Sequence, residues 1–500
     1  MKSKAHILIW FSLVSAFFVT RLINLKVIPI FTDEAIYAYW AQVALHDPAN
    51  RFMSLEDGKQ PLFIWIAAIF QKFIQDPLIA SRLVSVFAGF GSLVGIYFLS
   101  KFLFDKKTAI LACLLYIILP FTLLYDRLAL YDSLLTMLGI WAVFFSAKMI
   151  KSPQLDIALL NGFTIGLGMI TKSSANFFLY LLPFSLLVFE WRQKDRSRRF
   201  TKWLFLTLIT ALLAFGIYNS LRLSPLFYMI DRKNHEFIRT LSEILTNPTV
   251  QFPGNFNALI SWFSQYNGWP LLIIVTMTII WATFRRNLSI LFLSIYVVAP
   301  FVSEGIFNKV LYPRFMLFFF PYLIIIIAFA FHQVFNLLKQ RYKYIWVILI
   351  ILILIQPIFS SYKLLTNPPQ AKIADSDLNQ YLNSWPAGYG VEEIVKIVQE
   401  ESKSQKVVVG TEGTFGLLPF ALLIYFYNTS NVEIIGYWPV SDIPQQILEM
   451  AKTNKTYFVF NETQTLPDKP SNPHLKLIGK YQKGMGNSFM RLYEITLSNE

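Results

Sequence analysis

The first 365 residues alternate long apolar runs with short polar loops. Most runs approach the roughly 20 apolar residues that an α-helix needs to cross a bilayer core of about 30 Å. We therefore predict about eleven transmembrane helices, at residues 7–26, 80–100, 108–125, 133–150, 156–172, 175–191, 203–221, 269–284, 288–303, 315–337 and 344–362. This pattern is typical of a polytopic α-helical membrane protein.

The first apolar run follows a basic N-terminus. Residues Met1–Lys4 carry Lys2 and Lys4, and the apolar run extends from about residue 7 to residue 19. The flanking charge is that of a signal sequence, but no convincing small-residue cleavage site follows. We interpret the segment as a retained signal anchor.

Lysine and arginine clusters in the short loops determine the predicted orientation. They occur at Lys101 with Lys106 and Lys107, Lys148 with Lys151, Arg192 through Lys202, Arg285 with Arg286, and Lys339 through Lys343. Assigning all of them to the cytoplasm gives a consistent up-and-down path.

One apolar run does not fit this path as a span. Residues 61–74 are only about 14 residues long, and counting them as a span would put every later basic loop outside. We therefore predict that residues 27–79 form one long non-cytoplasmic loop. Within it we expect interfacial or re-entrant helices near residues 34–46 and 61–75.

The pattern changes after about residue 363, where polar residues and glycine become common. We predict a membrane domain over residues 1–365 and a soluble, extracytoplasmic α/β domain over residues 366–500. Strands are expected at residues 406–410, 432–435 and 456–460, helices at about 389–402, 413–427 and 441–453, and a hairpin from strands 475–481 and 489–495. The glycine-rich run 410–416 lacks the lysine and spacing of a P-loop, so a simple strand-to-helix turn is favoured.

Composition supports the membrane class and excludes others. Hydrophobic residues make up 55% of the chain, aromatic residues 17%, and charged residues only 15%. The net charge of +14 does not indicate nucleic-acid binding, because the basic residues are scattered between apolar spans and form no continuous face. The single cysteine, Cys113, excludes an internal disulfide.

Charged residues from distant parts of the chain fall at the non-cytoplasmic membrane face in this topology. The first is the acidic pair Asp33-Glu34, which follows the first apolar run and is surrounded by aromatic residues. Carboxylates held against a bilayer are costly, so the pair indicates a functional site as readily as a solvated turn. The set comprises Asp33, Glu34, Lys59, Arg82, Asp126, Arg127, Asp132, Lys172 and Arg314.

Three short motifs, together with this acidic pair, resemble those of the GT-C glycosyltransferases. They are Gly58-Lys-Gln-Pro-Leu62, the run from Tyr125 to Asp132, and Thr171-Lys172. The nearest branch is that of the protein O-mannosyltransferases and the aminoarabinose transferase of lipid A. The resemblance covers about the first 330 residues, and Gln60 departs from it where relatives commonly have proline.

The resemblance implies an inverting transfer of a sugar from a polyprenyl-phosphate donor to an acceptor hydroxyl at the outer membrane face. It implies no covalent intermediate. Oligosaccharyl relatives hold a divalent cation with acidic pairs, whereas the mannosyltransferase branch is thought not to need one. We therefore expect no essential metal or other cofactor. The expected partners are the lipid-linked donor, an acceptor lipid, protein or glycan, and the bilayer of the plasma membrane.

Each candidate residue suits a step of this chemistry. A carboxylate can take the proton of the acceptor hydroxyl as it attacks, and we assign Asp33 to that role. Glu34 would orient the acceptor or share the proton. Cations would stabilise the leaving phosphate. The candidates are Lys59, which lies in the matching motif, Arg82, Arg127, Lys172 and Arg314. Snorkelling to lipid headgroups is the alternative for Arg82, Lys172 and Arg314.

The remaining candidates could have either a functional or a purely structural role. Asp132 would orient Lys59 or bind the sugar, or it would simply cap a helix. Asp126 and Tyr312 are candidate sugar or acceptor contacts, and Tyr312 could equally be an interfacial belt residue. Tyr37 and Trp40 would stack on the sugar ring or bury an amphipathic helix.

A transporter or flippase of lipid-linked sugars is the alternative function. Such proteins commonly show repeats and charges near the middle of their spans. In this chain the predicted charges gather at one face, and no internal repeat is evident.

Overall fold

The computed structural model describes residues 2–247, 249–440, 442–462 and 474–497. Helices dominate up to residue 366. They are α1 Lys2–Leu22, α2 Thr32–His46, α3 Leu62–Phe73, α4 Pro77–Leu103, α5 Lys106–Ile118, α6 Pro120–Tyr125, α7 Tyr131–Lys151, α8 Leu155–Met169, α9 Asn176–Tyr180, α10 Arg196–Asn219, α11 Tyr228–Phe237, α12 Leu241–Thr246, α13 Phe252–Asn267, α14 Trp269–Arg285, α15 Leu288–Phe307, α16 Phe320–Leu337 and α17 Lys343–Thr366.

Six helical segments in the described chain are long and apolar enough to cross a membrane. They are Pro77–Leu103, Tyr131–Lys151, Arg196–Leu223, Leu288–Phe307, Phe320–Leu337 and Gln340–Thr366. The pair α13 and α14, bent by 117°, makes a seventh if it counts as one span. Only 22% of the apolar window at Arg196–Leu223 and 17% of that at Gln340–Thr366 is buried, so these helices present apolar surface outward, as lipid contact requires.

All eleven predicted spans overlap helical segments, but three of them are interrupted. The span 315–337 begins in the 3₁₀ turn Pro313–Met316, and α16 starts only at Phe320. The predicted span 108–125 is divided between α5, which ends at Ile118, and α6, which starts at Pro120. Residues 175–191 form the short helix α9 and then a 3₁₀ segment, Leu182–Val188, that contains Pro183. Proline cannot donate the backbone hydrogen bond that a continuous α-helix needs, so it interrupts the helix. The sequence pattern also missed α13. The exact number of spans remains a prediction.

Both helices predicted in the first long loop are present, as α2 and α3. Helix α2 begins at Thr32, so the acidic pair lies in its first turn, where the helix dipole favours negative charge.

The C-terminal part contains a five-stranded sheet with the order β2-β1-β3-β5-β4. Its strands are β1 Val407–Glu412, β2 Val432–Tyr437, β3 Lys455–Phe460, β4 Leu475–Gln482 and β5 Phe489–Ile495, and its helices are α18 Asp375–Leu378, α19 Val391–Glu401, α20 Leu417–Phe426 and α21 Gln445–Met450. Strands β1, β2 and β3 are parallel, and β4 and β5 form the predicted hairpin. The sequence pattern placed all five strands within two residues of their observed bounds. Residue 441, where we predicted a helix to start, lies outside the described residues.

The sheet domain shares a hydrophobic core with the start of the membrane part. Ile30, Ala35 and Ala38 are buried in one cluster with residues of α19 and α20. The backbone N–H of Thr32 donates to the carbonyl oxygen of Pro386 at 3.1 Å. Helix α2 is therefore packed between the membrane helices and the sheet domain.

Candidate functional site

Asp33 forms an ion pair with Arg314, which is far away in the sequence. The distance from Arg314 Nη1 to Asp33 Oδ2 is 2.8 Å. Arg314 lies in the 3₁₀ turn Pro313–Met316 before α16, and its guanidinium also lies over the ring of Tyr312, 4.8 Å from the ring centre. The Asp33 side chain is 22% exposed, and no hydrogen bond to its second oxygen, Oδ1, comes from the described part of the chain. That oxygen is therefore free to accept a proton from a ligand.

A second ion pair joins Lys172 and Asp132. Lys172 Nζ lies 2.6 Å from Asp132 Oδ1, at the start of α7. The same ammonium lies 4.4 Å from the ring centre of Phe315, the residue after Arg314. We predicted that Asp132 orients Lys59. In the structure, Asp132 instead pairs with Lys172.

Lys59 is the third cation of the group. Its Nζ lies 5.1 Å from the ring centre of Phe237 and within electrostatic range of Asp33, Asp57, Arg314 and Lys172. No hydrogen bond or ion pair of this ammonium is found among the described residues. Burial lowers the pKa of Lys59, although the nearby carboxylates oppose that effect. Lys59 is only partly buried, and a half-buried cation that lacks a close anion is stabilised by a negatively charged ligand.

Gln60 connects the two chain segments that carry Lys59 and Lys172. Its side-chain amide donates to the Ser173 hydroxyl at 2.8 Å and so joins the loop of Lys59 to the segment of Lys172. This is the position where the chain departs from the proline of the related motif. We call Asp33, Lys59, Asp132, Lys172 and Arg314 the charged cluster.

Two carboxylates that the sequence analysis did not single out lie beside the charged cluster. Glu304, near the end of α15, is buried, is hydrogen-bonded to Asn308, and lies within electrostatic range of Lys172 and Asp132. Its signal in the sequence is a lone carboxylate within an otherwise apolar run.

The second is Asp377 of α18. The hydroxyls of Tyr125, at 2.5 Å, and of Tyr266 donate to its Oδ2. Burial raises the pKa of Asp377 to about 6, and Arg314 is near enough to oppose the shift. This carboxylate comes from a polar linker with no motif, so no local signal could have identified it.

Glu34 does not face the charged cluster, and the prediction that it orients the acceptor is corrected. Its carboxylate is fully buried and binds Arg82 through both oxygens, with Nε–Oε1 at 2.8 Å and Nη2–Oε2 at 2.6 Å. The backbone N–H of Ala129 donates to the same Oε1 at 2.7 Å. Arg82 also donates to the carbonyl oxygens of Leu25 and Ile28. Glu34 and Arg82 therefore hold the α1–α2 connection against α4 and the start of α7.

Arg127 and Asp126 are likewise buried structural groups, not ligand contacts. Arg127 donates to four backbone carbonyl oxygens at the end of α1, those of Thr20, Arg21, Ile23 and Asn24. Asp126 pairs with Arg21 at 3.3 Å and accepts from the hydroxyls of Tyr116 and Ser133. Arg82, Arg127 and Asp126 therefore have almost no exposed surface for a ligand.

Of the three predicted aromatic contacts, two are buried and one is partly exposed. Trp40 is only 3% exposed and packs near Phe415, while Tyr37 is buried against Phe63 and Tyr131. They stabilise α2 and are not free to stack on a sugar. Tyr312 is partly exposed beside Arg314 and keeps its role as a candidate contact.

The described residues contain no group of three or more His, Cys, Asp or Glu side chains arranged to hold a metal ion. Whether the protein depends on a metal remains a prediction, to be tested by chelation.

Residues 58–218 match the family of dolichyl-phosphate-mannose-protein mannosyltransferases. No curated protein sequence matches the chain. The structure is similar to that of ArnT from Cupriavidus metallidurans bound to undecaprenyl phosphate, with a TM-score of 0.61 and 13% identity over 100% of this chain and 99% of that chain. It is also similar to the apo oligosaccharyltransferase of Archaeoglobus fulgidus, with a TM-score of 0.55 and 12% identity over 91% of this chain and 69% of that one.

The family match covers the loop of Lys59, α7 with Asp132, and Lys172, and the shared fold extends over the whole chain. Together they show that residues 58–218 resemble the mannosyltransferase family and that the chain shares the fold of ArnT and of the archaeal oligosaccharyltransferase.

Proposed function

We propose that the protein transfers a sugar from a polyprenyl-phosphate donor to an acceptor hydroxyl, with inversion at the anomeric carbon. The observation that carries this proposal is the charged cluster, in which a partly exposed carboxylate, Asp33, lies beside three cations. The ArnT structure contains undecaprenyl phosphate, and an archaeal oligosaccharyltransferase of similar fold contains dolichol phosphate. Both supply a precedent for a lipid phosphate in this fold.

The chemistry follows from the two charges that change during the transfer. The acceptor oxygen forms a bond to the anomeric carbon while its proton passes to Asp33 Oδ1, and such general-base assistance contributes about 10²–10⁴-fold. The bond between the anomeric carbon and the phosphate oxygen breaks, and its electron pair leaves on the polyprenyl phosphate. In this proposal Lys59, Lys172 and Arg314 stabilise that growing negative charge. Direct displacement from the opposite side inverts the carbon.

Asp132 is a positioning residue in this proposal. Its contact with Lys172 fixes the ammonium in the direction of the donor phosphate. Arg314 has a double role, because it holds one oxygen of Asp33 and leaves the other for the acceptor.

We further propose that the charged cluster and the sheet domain lie on the extracytoplasmic side of the plasma membrane. The support is the distribution of lysine and arginine, which would place the basic loops in the cytoplasm. Accessibility of cysteines introduced into the sheet domain to an impermeant thiol reagent in intact cells tests this orientation.

The test of the function is the transfer of labelled mannose from polyprenyl-phosphate-mannose to membrane acceptors by the purified protein in vesicles. Asp33→Asn is expected to lower the turnover number at least 100-fold and to leave donor affinity within a few-fold, as for loss of a general base. Asp231→Asn is the matched control, since the Asp231 side chain is 85% exposed and lies outside the charged cluster.

Three outcomes would change the proposal. Full turnover by Asp33→Asn would exclude this residue as the base. Absence of mannose transfer by the native protein would direct the assay to other hexosyl and pentosyl donors. Movement of the labelled donor across the bilayer without transfer would favour a flippase.

A further inference from the structure

A cleft of about 540 Å³ lies in the sheet domain, within the size range of ligand-binding pockets. Its lining includes three aromatic side chains that are unusually exposed for their size. Trp385 is 46% exposed, Trp438 is 54% exposed, and Phe415 is 57% exposed. Neither Trp385 nor Trp438 belongs to a predicted span. Their exposed rings are therefore not explained by lipid contact.

The cleft lies at the carboxyl edge of the parallel strands. Glu412 is the last residue of β1, Trp438 directly follows β2, and Asn461 directly follows β3. Because the chain runs from β1 to β2 on one side and returns to β3 on the other, β1 is the strand at which the order reverses. In open α/β sheets, ligands bind in the crevice at this point, outside the carboxyl ends of the strands.

The polar floor of the cleft is fixed in position. The backbone N–H of Asn461 donates to Glu412 Oε2 at 2.7 Å, and the Asn461 side-chain amide donates to the carbonyl oxygen of Trp385 at 3.0 Å. The buried ammonium of Lys483 donates to the same carbonyl at 2.9 Å and to the Asn461 side chain. The main chain that carries Trp385 is thus anchored, while its ring stays exposed.

This combination of groups matches the chemistry of a carbohydrate. One face of a pyranose ring presents C–H groups that pack on an aromatic ring, whereas its hydroxyls donate to carboxylates and exchange hydrogen bonds with amides. The cleft offers Trp and Phe rings beside two polar residues with surface exposure, Thr414 and Glu462. A lipid chain would place apolar groups against these polar side chains.

The cleft is also connected to the charged cluster. Pro386, which follows Trp385, accepts the hydrogen bond from the N–H of Thr32, the residue before Asp33. At the other end of the cleft, the ring of Phe415 lies 6.4 Å from that of Trp40 on α2. Phe415 and the main chain that follows Trp385 are therefore in contact with the helix that carries Asp33.

We propose that this cleft binds a saccharide of the acceptor and so positions an acceptor hydroxyl toward Asp33. The identification of the ligand as the acceptor rests on the proposed function, whereas saccharide binding itself does not. Trp385 and Trp438 supply the stacking surfaces, and Thr414 and Glu462 supply the polar contacts.

Binding is measured with the full-length protein in nanodiscs on a glycan array, without donor. The native protein is expected to bind at least one class of glycan, and Trp385→Ala and Trp438→Ala are each expected to weaken that binding at least tenfold. Trp438→Tyr keeps an aromatic ring and is expected to restore part of it. Trp191→Ala, at a tryptophan that is 52% exposed outside the cleft, is the matched control. Thermal unfolding of each variant shows that it is folded.

The outcomes separate the two proposals. Absence of glycan binding by the native protein, or equal binding by folded Trp385→Ala and Trp438→Ala, overturns the saccharide cleft. Binding of peptides in place of glycans on a parallel peptide array also overturns it. Glycan binding that persists in a native protein unable to transfer any sugar supports the cleft and counts against the transferase. For an active enzyme, the cleft variants should raise the acceptor KM and leave the donor KM unchanged.

Discussion

At the scale of single residues, Asp33 and Glu34 show how neighbours in a sequence acquire different roles. Successive residues of an α-helix point about 100° apart, so the first turn of α2 directs one carboxylate to the charged cluster and the other into the protein. Asp33 is partly exposed beside Arg314, whereas Glu34 is fully buried against Arg82. The cations also differ in exposure, since Lys59 and Lys172 are partly exposed and Arg127 is buried.

Glu34→Gln is expected to impair folding and to spare the chemistry. Removing one partner of a buried ion pair leaves Arg82 uncompensated, at a cost of about 3–5 kcal/mol. The melting temperature and yield should fall, while the folded fraction should keep its turnover number within a few-fold. Thermal unfolding in detergent measures this, with the exposed Glu56→Gln as control. A stable Glu34→Gln protein without activity would contradict the structural role.

Lys59→Arg is expected to extend lipid-phosphate binding to higher pH. Because burial lowers the pKa of Lys59, the native ammonium loses its proton at a lower pH than an ordinary lysine. Affinity for polyprenyl phosphate should therefore decline as the pH rises, whereas a guanidinium stays charged and delays that decline. The dissociation constant from about pH 7 to about pH 10 measures the effect, and Lys72→Arg is the exposed control. Superimposable pH profiles would show that Lys59 does not contact the phosphate.

At the scale of elements, short connecting segments complete the site that the long helices frame. The 3₁₀ turn before α16 carries Arg314, and α18 carries Asp377. The latter reaches Tyr125 of α6 and Tyr266 of α13. These contacts bind the linker after the last membrane helix to the region of the charged cluster, so a segment outside the family match supports the site.

Asp377 should make the native protein more stable in mild acid. The pKa of its carboxyl is about 6 in the fold, against about 4 when unfolded, so the native state holds the extra proton between these values. Stability from this group is therefore complete below about pH 4 and is lost as the pH rises to about 6, a change of roughly 3 kcal/mol.

Asp377→Asn should remove this pH dependence from the melting temperature. The exposed Asp375→Asn, two residues earlier, is the control and should keep it. If the native protein and Asp377→Asn change in parallel between the two pH values, the carboxyl of Asp377 is not protonated in the fold.

At the scale of the whole molecule, the sheet domain and the membrane helices share α2. Ala38 on this helix is fully buried in the core of the sheet domain, while Tyr37 packs with the membrane part. Tyr39 stacks on Phe420 of α20, with ring centres 4.7 Å apart. Because one helix carries both contacts and Asp33, docking of the sheet domain and placement of the base depend on each other.

Ala38→Leu is expected to disturb that docking. Extra methylene groups in a filled core cost about 1–3 kcal/mol, so the melting temperature should fall and the connection near residue 366 should be cut sooner by protease. Turnover should fall more than donor affinity, since Lys59 and Lys172 lie on other elements. Ala49→Leu, at an exposed alanine, is the control. Unchanged turnover with a lowered melting temperature would show that docking does not position Asp33.

The local sequence pattern determined the apolar helical segments, the five strands and the class of the protein. These features depend on residues close together in the chain, through the lengths of apolar runs and the alternation of buried strands. The motifs around Lys59, Asp132 and Lys172 are also local, and all three lie within residues 58–218, which match the mannosyltransferase family.

Only the tertiary structure decided which charges belong to the site. Ion-pair partners such as Asp33 with Arg314 are separated by most of the chain, and no local pattern encodes them. Burial of Arg82, Arg127 and Asp126 likewise depends on how helices meet, and Asp377 enters from a polar linker. The sequence alone determines which segments fold as helices or strands, but long-range packing determines which side chains keep access to a ligand.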